Sequence, residues 1–234
     1  MATSNKLLAS LSRGDAAAIQ PFLRHIDLEH KKVLFDTGDT VEHVYFPTGA
    51  VVSLVVGLST GEMIEAAMVG RDGVVGAAAA LDGRISLSRA IVQLPGPALV
   101  CDIPDLKGAA MQSQTLLSKL IRHEQTLYAQ AQQSTACMAA HDVESRMCRW
   151  LLRARDLANS DTLMFTQEFL AEMLGVRRTS ITVVALTLQR AGMIRYTRGK
   201  IEILNVDDLR NTACECYESV KAQYAQLLGD GPTA

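Results

Sequence analysis

Short apolar runs separated by turn residues dominate the first half of the chain. The runs cover residues 41–46, 50–56, 63–69 and 90–94, and segments containing Gly and Pro divide them. Runs of this length that are rich in Val, Ile and Tyr favour strands, and the residues between them favour turns. The pattern predicts an antiparallel β-roll of the jelly-roll type, preceded by a short helix at 16–23.

A long helical stretch follows the predicted roll. Residues 105–158 contain one glycine and no proline, which favours helix, but the stretch exceeds an ordinary globular helix and we expect a break. Asp142 is a suitable N-cap for a second helix, so the break is predicted near His141. Before it, steps of three and four residues alternate along a heptad seam at Leu117, Leu120, Glu124, Leu127, Ala131, Ser134 and Met138.

Two arrangements explain this heptad spacing. A parallel dimer helix buries such a seam against a second copy of the chain, and the polar Glu124 and Ser134 would then set the register. Alternatively, the helix packs its apolar stripe on its own domain. The pattern alone leaves both arrangements open.

The segment 167–186 places the residues that a helix-turn-helix requires at the positions where they are required. Ala171 is small enough for two helices to cross, Gly175 accepts the positive φ of the turn, and Ile181 supplies an aliphatic plug in the second helix. Thr166 is a competent N-cap for the first helix. The frame predicts a second helix from about residue 178 to 190 whose buried stripe is Ile181, Val184, Ala185 and Leu188.

Side chains suited to DNA occupy the start of this second helix. In a major groove, Arg binds guanine bidentately, and Ser or Thr form short hydrogen bonds with base edges. A merely solvated polar helix start is the alternative. The residues expected to contact bases are Arg177, Arg178, Thr179, Ser180 and Thr182.

Two short runs after Gly192, at 193–196 and 201–203, predict a hairpin that forms the wing of a winged helix-turn-helix. The turn between them presents Arg198 and Lys200, which suit phosphates. Thr166 and Gln167, at the start of the first helix, are the other phosphate candidates.

Charge is concentrated around this motif. Residues 166–200 carry six basic and two acidic side chains, a net charge of +4, whereas the whole chain has 23 basic and 25 acidic residues and a net charge of −2. A small basic segment in an acidic chain favours a protein that contacts DNA with one face only.

The composition favours a cytoplasmic globular protein. The apolar fraction is 48% and the charged fraction 21%, and no apolar run approaches the roughly 18 residues of a membrane helix. The five cysteines form no disulfide framework, which favours a reducing compartment. Cys214 and Cys216 lie two residues apart on a predicted helix and point to different faces, so no shared metal is expected. Cys137 and Cys148, near the helix break, are candidates for a redox switch.

The sequence resembles the CRP/FNR family of bacterial transcription regulators over nearly its whole length. FTQEFLAEMLGVRRTSIT at 165–182 is the most specific match, and Gly38-Asp39, Val44-Tyr45-Phe46-Pro47, Gly49 and Arg149-Trp150-Leu151-Leu152 also match. The resemblance implies an α+β fold with a sensory, cyclic-nucleotide-binding-like β-roll at 1–110, a dimerisation helix and hinge at 111–141, and a winged helix-turn-helix domain with a helical tail at 142–234. It also implies a homodimer on palindromic double-stranded DNA, a small-molecule effector in the roll and RNA polymerase as a further partner.

The chain departs from the family where the effector binds. Nucleotide-binding members carry a Gly-Glu pair for the ribose and a later Arg-Ser or Arg-Thr pair for the cyclic phosphate. The effector-pocket candidates at the matching positions are Gly76, Ala77, Arg84, Leu87, Ser88 and Arg89. Because the carboxylate is missing, cyclic AMP is disfavoured.

Other cofactors of the family are disfavoured as well. The chain has no cysteine before Cys101, which disfavours the N-terminal iron–sulfur cluster. His43 is the one histidine within the predicted strands of the roll, which His25 and His30 precede, and this disfavours haem. The sequence therefore identifies no effector. It also leaves open whether the protein activates or represses transcription.

Two other classes of protein compete with a DNA-binding regulator. A cupin-type metalloenzyme needs several histidines that converge from strands, and the predicted roll has one, so we expect no enzyme. A binding module whose winged domain contacts protein or RNA shares every predicted element with the regulator. Sequence-selective, salt-dependent DNA binding would separate the two.

Overall fold

Two antiparallel sheets form the N-terminal half of the chain, as the apolar runs predict. The computed structural model describes residues 4–228. The sheet orders are β1-β7-β3 and β2-β6-β4-β5, where the strands are β1 (Arg24–Leu28), β2 (Val33–Phe35), β3 (His43–Pro47), β4 (Val51–Gly57), β5 (Met63–Val69), β6 (Arg89–Leu94) and β7 (Gly96–Asp102). Val52, Val69 and Val100 belong to an apolar core that joins the two sheets.

The apolar pattern predicts β3, β4, β5 and β6 to within two residues, but it misses three strands. The edge strand β1 has the sequence RHIDL and buries only Leu28, so it contains no apolar run. β2 has three residues, which is too short for a recognisable pattern. β7 begins with Gly96 and Pro97, which are turn signals in the sequence.

The helix predicted at 16–23 begins earlier and ends earlier. The N-terminal segment forms α1 (Lys6–Ala9) and α2 (Arg13–Ile19), and a 3₁₀ turn follows at Gln20–Phe22. The helix begins earlier than predicted because Ser12 is its N-cap: the Ser12 hydroxyl accepts a hydrogen bond from the Asp15 N–H at 3.1 Å. A further short helix, α3 (Ala77–Ala80), lies between β5 and β6.

Three helices connect the roll to the C-terminal half: α4 (Ile103–Gln112), α5 (Gln114–Ala140) and α6 (Val143–Ala158). The break predicted near His141 is confirmed, since the Asp142 carboxylate accepts a hydrogen bond from the Ser145 N–H at 2.9 Å and caps α6. A second break at Ser113 was not predicted. No helix in the described part of the chain is long and apolar enough to span a membrane.

The predicted seam on α5 is wrong at four positions, which face the chain's own core. Leu120 is fully buried against α1, α2 and α4, Leu127 packs on the roll core, and Ser134 is also buried. Leu117 packs against the same core as Leu120. The inward apolar stripe of α5 therefore packs on the helix's own chain and not on a second copy. The outward face keeps Glu124, Ala131 and Met138 of the predicted seam and adds Ile121, Tyr128 and Thr135.

The C-terminal half has the winged arrangement that the sequence predicts. Its elements are β8 (Thr162–Met164), α7 (Gln167–Leu174), α8 (Arg178–Arg190), β9 (Ile194–Thr197), β10 (Lys200–Ile203), α9 (Val206–Thr212) and α10 (Cys216–Leu228). The strands pair in the order β8-β10-β9. The helical tail predicted from Asn205 is confirmed except for a break between α9 and α10.

One apolar core extends from the winged half into the roll. Trp150 packs edge-on against Phe165, with 4.8 Å between the ring centroids, and the same cluster contains Val51, Met68 and Leu94 of the roll. The winged half is therefore docked on the four-stranded sheet.

A buried carboxyl group lies in this contact. Glu65 on β5 accepts hydrogen bonds from Trp150 Nε1 at 3.0 Å, from the Ser53 hydroxyl at 2.5 Å and from Gln93 Nε2 at 2.7 Å. Burial raises the pKa of Glu65 from 4.5 to about 7, although these hydrogen bonds and the charge of Arg149 oppose the shift.

Candidate nucleic-acid interface

The helix-turn-helix frame is confirmed residue by residue. The Thr166 hydroxyl accepts a hydrogen bond from the Phe169 N–H at 3.1 Å and caps α7. Gly175 has φ +62°, the left-handed conformation that favours glycine in this turn. Ala171 and Ile181 are buried where α7 and α8 pack together. The residues from which the motif was predicted thus form the cap, the turn and the contact between the two helices.

The second helix runs from Arg178 to Arg190, as predicted, and buries the predicted stripe. Arg177, Arg178 and Thr179 are exposed at its start, and Ser180 and Thr182 are half-buried. Val183 is 64% exposed. Leu186 is also exposed, so the outer face carries two aliphatic side chains that suit thymine methyl groups.

Two of the candidate residues hold the helices together. The Thr182 hydroxyl donates a hydrogen bond to Gln167 Oε1 at 2.7 Å. Thr182 also contacts the Arg178 carbonyl oxygen at 3.1 Å. A contact of either side chain with DNA would therefore use the remaining hydrogen-bonding capacity of this pair.

The wing turn is tighter than the predicted four residues. Thr197 pairs with Lys200 in the β9–β10 ladder, and the turn is Arg198-Gly199, with φ +48° and +80°. Two successive residues of positive φ make a type I′ hairpin turn, which matches the twist of the strands. Lys200 is therefore a strand residue, and its Nζ lies 2.5 Å from Glu202 Oε1.

A groove of 430 Å³ separates the second helix from the wing. The start of α7, Arg178 of α8 and Arg198 of the wing line it. Within residues 4–228, no acidic side chain lies within ion-pair distance of Arg177, Arg178 or Arg198, whereas Arg195 and Lys200 both pair with Glu202. Arg178 and Arg198 thus bring positive charge to the groove, which Glu168 of α7 also lines. This charge suits the phosphates and guanine edges of a DNA duplex.

The effector-pocket candidates occupy very different environments. Gly76 has φ +88° and begins α3, where Ala77 is buried. Arg84 is exposed, Leu87 is 87% exposed and Ser88 is half-buried. Arg89 is already paired with Asp36, through contacts of 2.6 and 3.0 Å. A nearby cavity of 220 Å³ is lined by residues of β2, β3 and the loop between them, and by none of the six candidates.

The cysteines lie where the sequence pattern does not place them. Cys214 precedes α10 and Cys216 begins it, so the two are not on different faces of one helix. Both approach Cys137 and His141 at the end of α5. Hydrogen bonding from Cys214 and the charge of Arg149 hold the pKa of Cys137 well below its usual range. Burial raises the pKa of Cys148 to about 12, so the neighbouring Arg146 and Arg149 do not turn this thiol into a reactive thiolate.

Comparisons with known proteins agree with this geometry. Residues 145–212 match the model of the Crp-like helix-turn-helix domain family. The Global nitrogen regulator of Synechocystis sp. (strain ATCC 27184 / PCC 6803 / Kazusa) is 24% identical over 213 residues, which make up 87% of this chain and 94% of the relative.

Solved structures share the fold. FixK2 from Bradyrhizobium japonicum has a TM-score of 0.70 at 16% identity, covering 82% of this chain and 98% of its own. A CRP/FNR family transcriptional regulator from Thermus thermophilus, TTHA1359, has a TM-score of 0.67 at 22% identity, covering 81% and 98%. The order of roll, long helix and helix-turn-helix is thus an architecture already observed in other proteins.

Proposed function

We propose that the chain is a transcription regulator of the CRP/FNR type, which uses its Crp-like helix-turn-helix domain to act as a cytoplasmic homodimer on a palindromic DNA site. The observation that supports this most strongly is the groove between α8 and the wing, because two arginines, Arg178 and Arg198, line it against one acidic side chain, Glu168. Such a groove combines base recognition with phosphate contacts.

The base contacts are assigned to the exposed start of α8. Arg177, Arg178 and Thr179 are exposed, whereas Ser180 and Thr182 are half-buried beside α7. Val183 and Leu186 add apolar contacts with thymine. The specificity of the protein follows from this mixture, since arginine selects guanine and aliphatic groups select thymine.

The phosphate contacts are assigned to the ends of the groove. The first turn of α7, with Thr166 and Gln167, presents backbone N–H groups and the positive end of the helix dipole. Arg198 at the wing tip lines the same groove. Lys200 attracts phosphates less strongly because its ammonium group is ion-paired with the Glu202 carboxylate.

The outward face of α5 supports the homodimer. Its heptad seam runs through Ile121, Tyr128 and Met138, and Tyr128 is 68% exposed and Ile121 45% exposed. A tyrosine and an isoleucine at heptad spacing on one side of a long helix are the apolar seam that a parallel dimer buries. Two parallel α5 helices would hold the two α8 helices at a fixed spacing, as half-sites about one helical turn apart require.

We assign a sensory role to the roll and place the response at the hinge between α5 and α6. An effector that binds one arrangement of roll and winged half better than another would shift the population of the DNA-binding arrangement. Such a shift must alter the contact between the roll and the winged half around Trp150 and Glu65. RNA polymerase is the further partner through which the DNA-bound dimer would act on transcription.

Selection of DNA from a random pool tests this function. The full-length protein is expected to enrich an inverted repeat, and its affinity for that duplex should fall steeply with salt because phosphate contacts release counterions. A single-stranded RNA of the same sequence and a random duplex serve as competitors. Enrichment of no motif, or equal affinity for RNA and duplex, would favour the binding module that contacts RNA or protein.

A further inference from the structure

Four potential metal ligands converge where the end of α5 meets the start of α10. They are Cys137 and His141 from one segment and Cys214 and Cys216 from the other, and their ligand atoms all lie within 4.8 Å of one another. The Sγ atoms of Cys137 and Cys214 are 3.5 Å apart. Cys216 Sγ lies 3.6 Å from His141 Nδ1.

These spacings fit a single tetrahedral ion. With Zn–S bonds of about 2.3 Å and Zn–N bonds of about 2.0–2.1 Å, the edges of the tetrahedron are about 3.8 Å between sulfurs and about 3.6 Å between sulfur and nitrogen. A disulfide requires about 2.05 Å between sulfurs, so the 3.5 Å pair is two thiols. An iron–sulfur cluster spreads its ligands around several irons, which needs a wider donor set.

The surroundings orient the donors as a metal site does. His141 Nε2 lies 3.2 Å from Glu215 Oε1, which leaves Nδ1 directed towards the sulfurs. Gln133 Nε2 donates a hydrogen bond to Cys216 Sγ at 3.0 Å. A carboxylate behind a ligating histidine and N–H groups directed at ligating sulfurs are the usual outer partners of bound zinc.

Burial separates the donors from solvent. Cys137, Cys214 and Cys216 form a buried cluster of their own, and His141 closes it with a side chain that is 23% exposed. Three thiolates and one divalent ion leave a net charge of −1. Arg149, on the neighbouring α6, interacts electrostatically with Cys137 and offsets this charge.

We propose that Cys137, His141, Cys214 and Cys216 bind one Zn²⁺ ion in a closed structural site. Four protein ligands leave no open position for water, which distinguishes a structural zinc site from a catalytic one. The ion would clamp the end of α5 to the start of α10 and so hold the hinge at residues 141–142 in one arrangement. Metal binding itself does not depend on the proposed DNA-binding function, so failure of either can be recognised separately.

Cobalt binding tests the donor set directly. The full-length chain, reduced completely and stripped with a chelator, is titrated with Co²⁺. One equivalent per chain is expected, with the thiolate charge-transfer and d–d absorption of a tetrahedral ion, and Zn²⁺ should displace it. Cys216→Ser should weaken binding by more than about 100-fold. Cys148→Ser, which removes a buried cysteine outside the cluster, should bind as the wild type does.

A surface substitution keeps the test independent of folding. Glu215 is 74% exposed, and Glu215→Gln is expected to weaken zinc affinity by about 10-fold or more because it removes the partner of His141. Glu218→Gln, on the same segment but directed at Arg210, is the matched control and should have no effect. Absence of tetrahedral Co²⁺ absorption from the reduced wild type would overturn the proposal. Equal losses in Cys216→Ser and Cys148→Ser would overturn it too.

Discussion

Arg178 carries the sharpest prediction at the scale of single residues. Arg178→Ala should weaken binding to the selected duplex by about 1–3 kcal/mol and leave binding to random DNA nearly unchanged, because a guanine contact is lost. Fluorescence anisotropy with both duplexes at one salt concentration measures the difference. Arg190→Ala, exposed at the other end of α8, is the control. Equal weakening on both duplexes would contradict the assignment of Arg178 to base contacts.

Arg198 and Lys200 should differ in their contribution to salt dependence. Arg198→Ala is expected to reduce the slope of log affinity against log salt by about 0.9, the value for one phosphate contact. Lys200→Ala should reduce it by less, because Glu202 already lies 2.5 Å from the Lys200 ammonium group. Anisotropy titrations at several salt concentrations give both slopes. A larger effect at Lys200 than at Arg198 would show that the ion pair opens on DNA.

The residue scale also shows why some sites are predictable from sequence and others are not. Ala171, Gly175 and Ile181 belong to a continuous motif whose steric requirements are local, so their positions predict their roles. Cys137 and Cys214 are separated by 77 positions and meet only through the packing of α5 on α10. Cys214 and Cys216 are a local pair, but the helix predicted to contain both places them on different faces, and the other two ligands lie on a distant segment.

At the scale of elements, the contact of α5 with the roll depends on a missing side chain. A Cβ atom at Gly73 would lie 2.3 Å from His123 Nε2, which accepts a hydrogen bond from the Val74 N–H at 3.1 Å. Gly73→Ala is therefore expected to lower the free energy of unfolding by about 1–3 kcal/mol. Gly108→Ala, in open space on α4, should instead stabilise by up to about 1 kcal/mol. Urea unfolding compares them, and a fully stable Gly73→Ala variant would contradict this packing.

The outward seam of α5 predicts which substitution separates the dimer. Tyr128→Glu should shift the protein from dimer to monomer in sedimentation velocity, because it places a charge at the centre of the seam. Arg122→Glu is the control, since Arg122 is exposed but follows Ile121 by a step of about 100° around the helix. A dimer that survives Tyr128→Glu, or an equal effect of both variants, would contradict the seam.

The seam also shows what sequence periodicity cannot predict, namely which side of a helix faces its own chain. A heptad pattern shows that α5 has an apolar stripe, but Leu120 and Leu127 satisfy it as well as Ile121 and Tyr128 do. The choice between them depends on which side the roll covers, and this is a tertiary contact. Strand β1 was missed for a related reason, because an edge strand can pair through its backbone without apolar side chains.

At the scale of the whole molecule, Glu65 makes the docking of the two halves sensitive to pH. Its pKa of about 7 lies above the usual 4.5, so the folded protein keeps the proton longer than the unfolded chain does. The stabilisation is present below pH 4.5 and is lost as the pH rises through about 7, on the order of 3 kcal/mol.

Glu65→Gln removes this titration and retains an oxygen for the Trp150 N–H. Between pH 5 and pH 8 the wild type should lose more thermal stability than the variant, as differential scanning fluorimetry measures. Glu62→Gln, at the exposed turn of the same hairpin, should behave as the wild type. Identical pH profiles for Glu65→Gln and the wild type would contradict the buried, protonated carboxyl group.

The central claim is that two chains bind one DNA duplex at two half-sites on the same face, and analytical ultracentrifugation of the protein with the selected duplex tests it most directly. We expect two chains per duplex. Insertion of about five base pairs between the half-sites, half of the roughly 10-base-pair turn, should reduce the affinity to that of random DNA. One chain per duplex, or unchanged affinity after the insertion, would contradict a dimer whose α5 helices fix the spacing of its α8 helices.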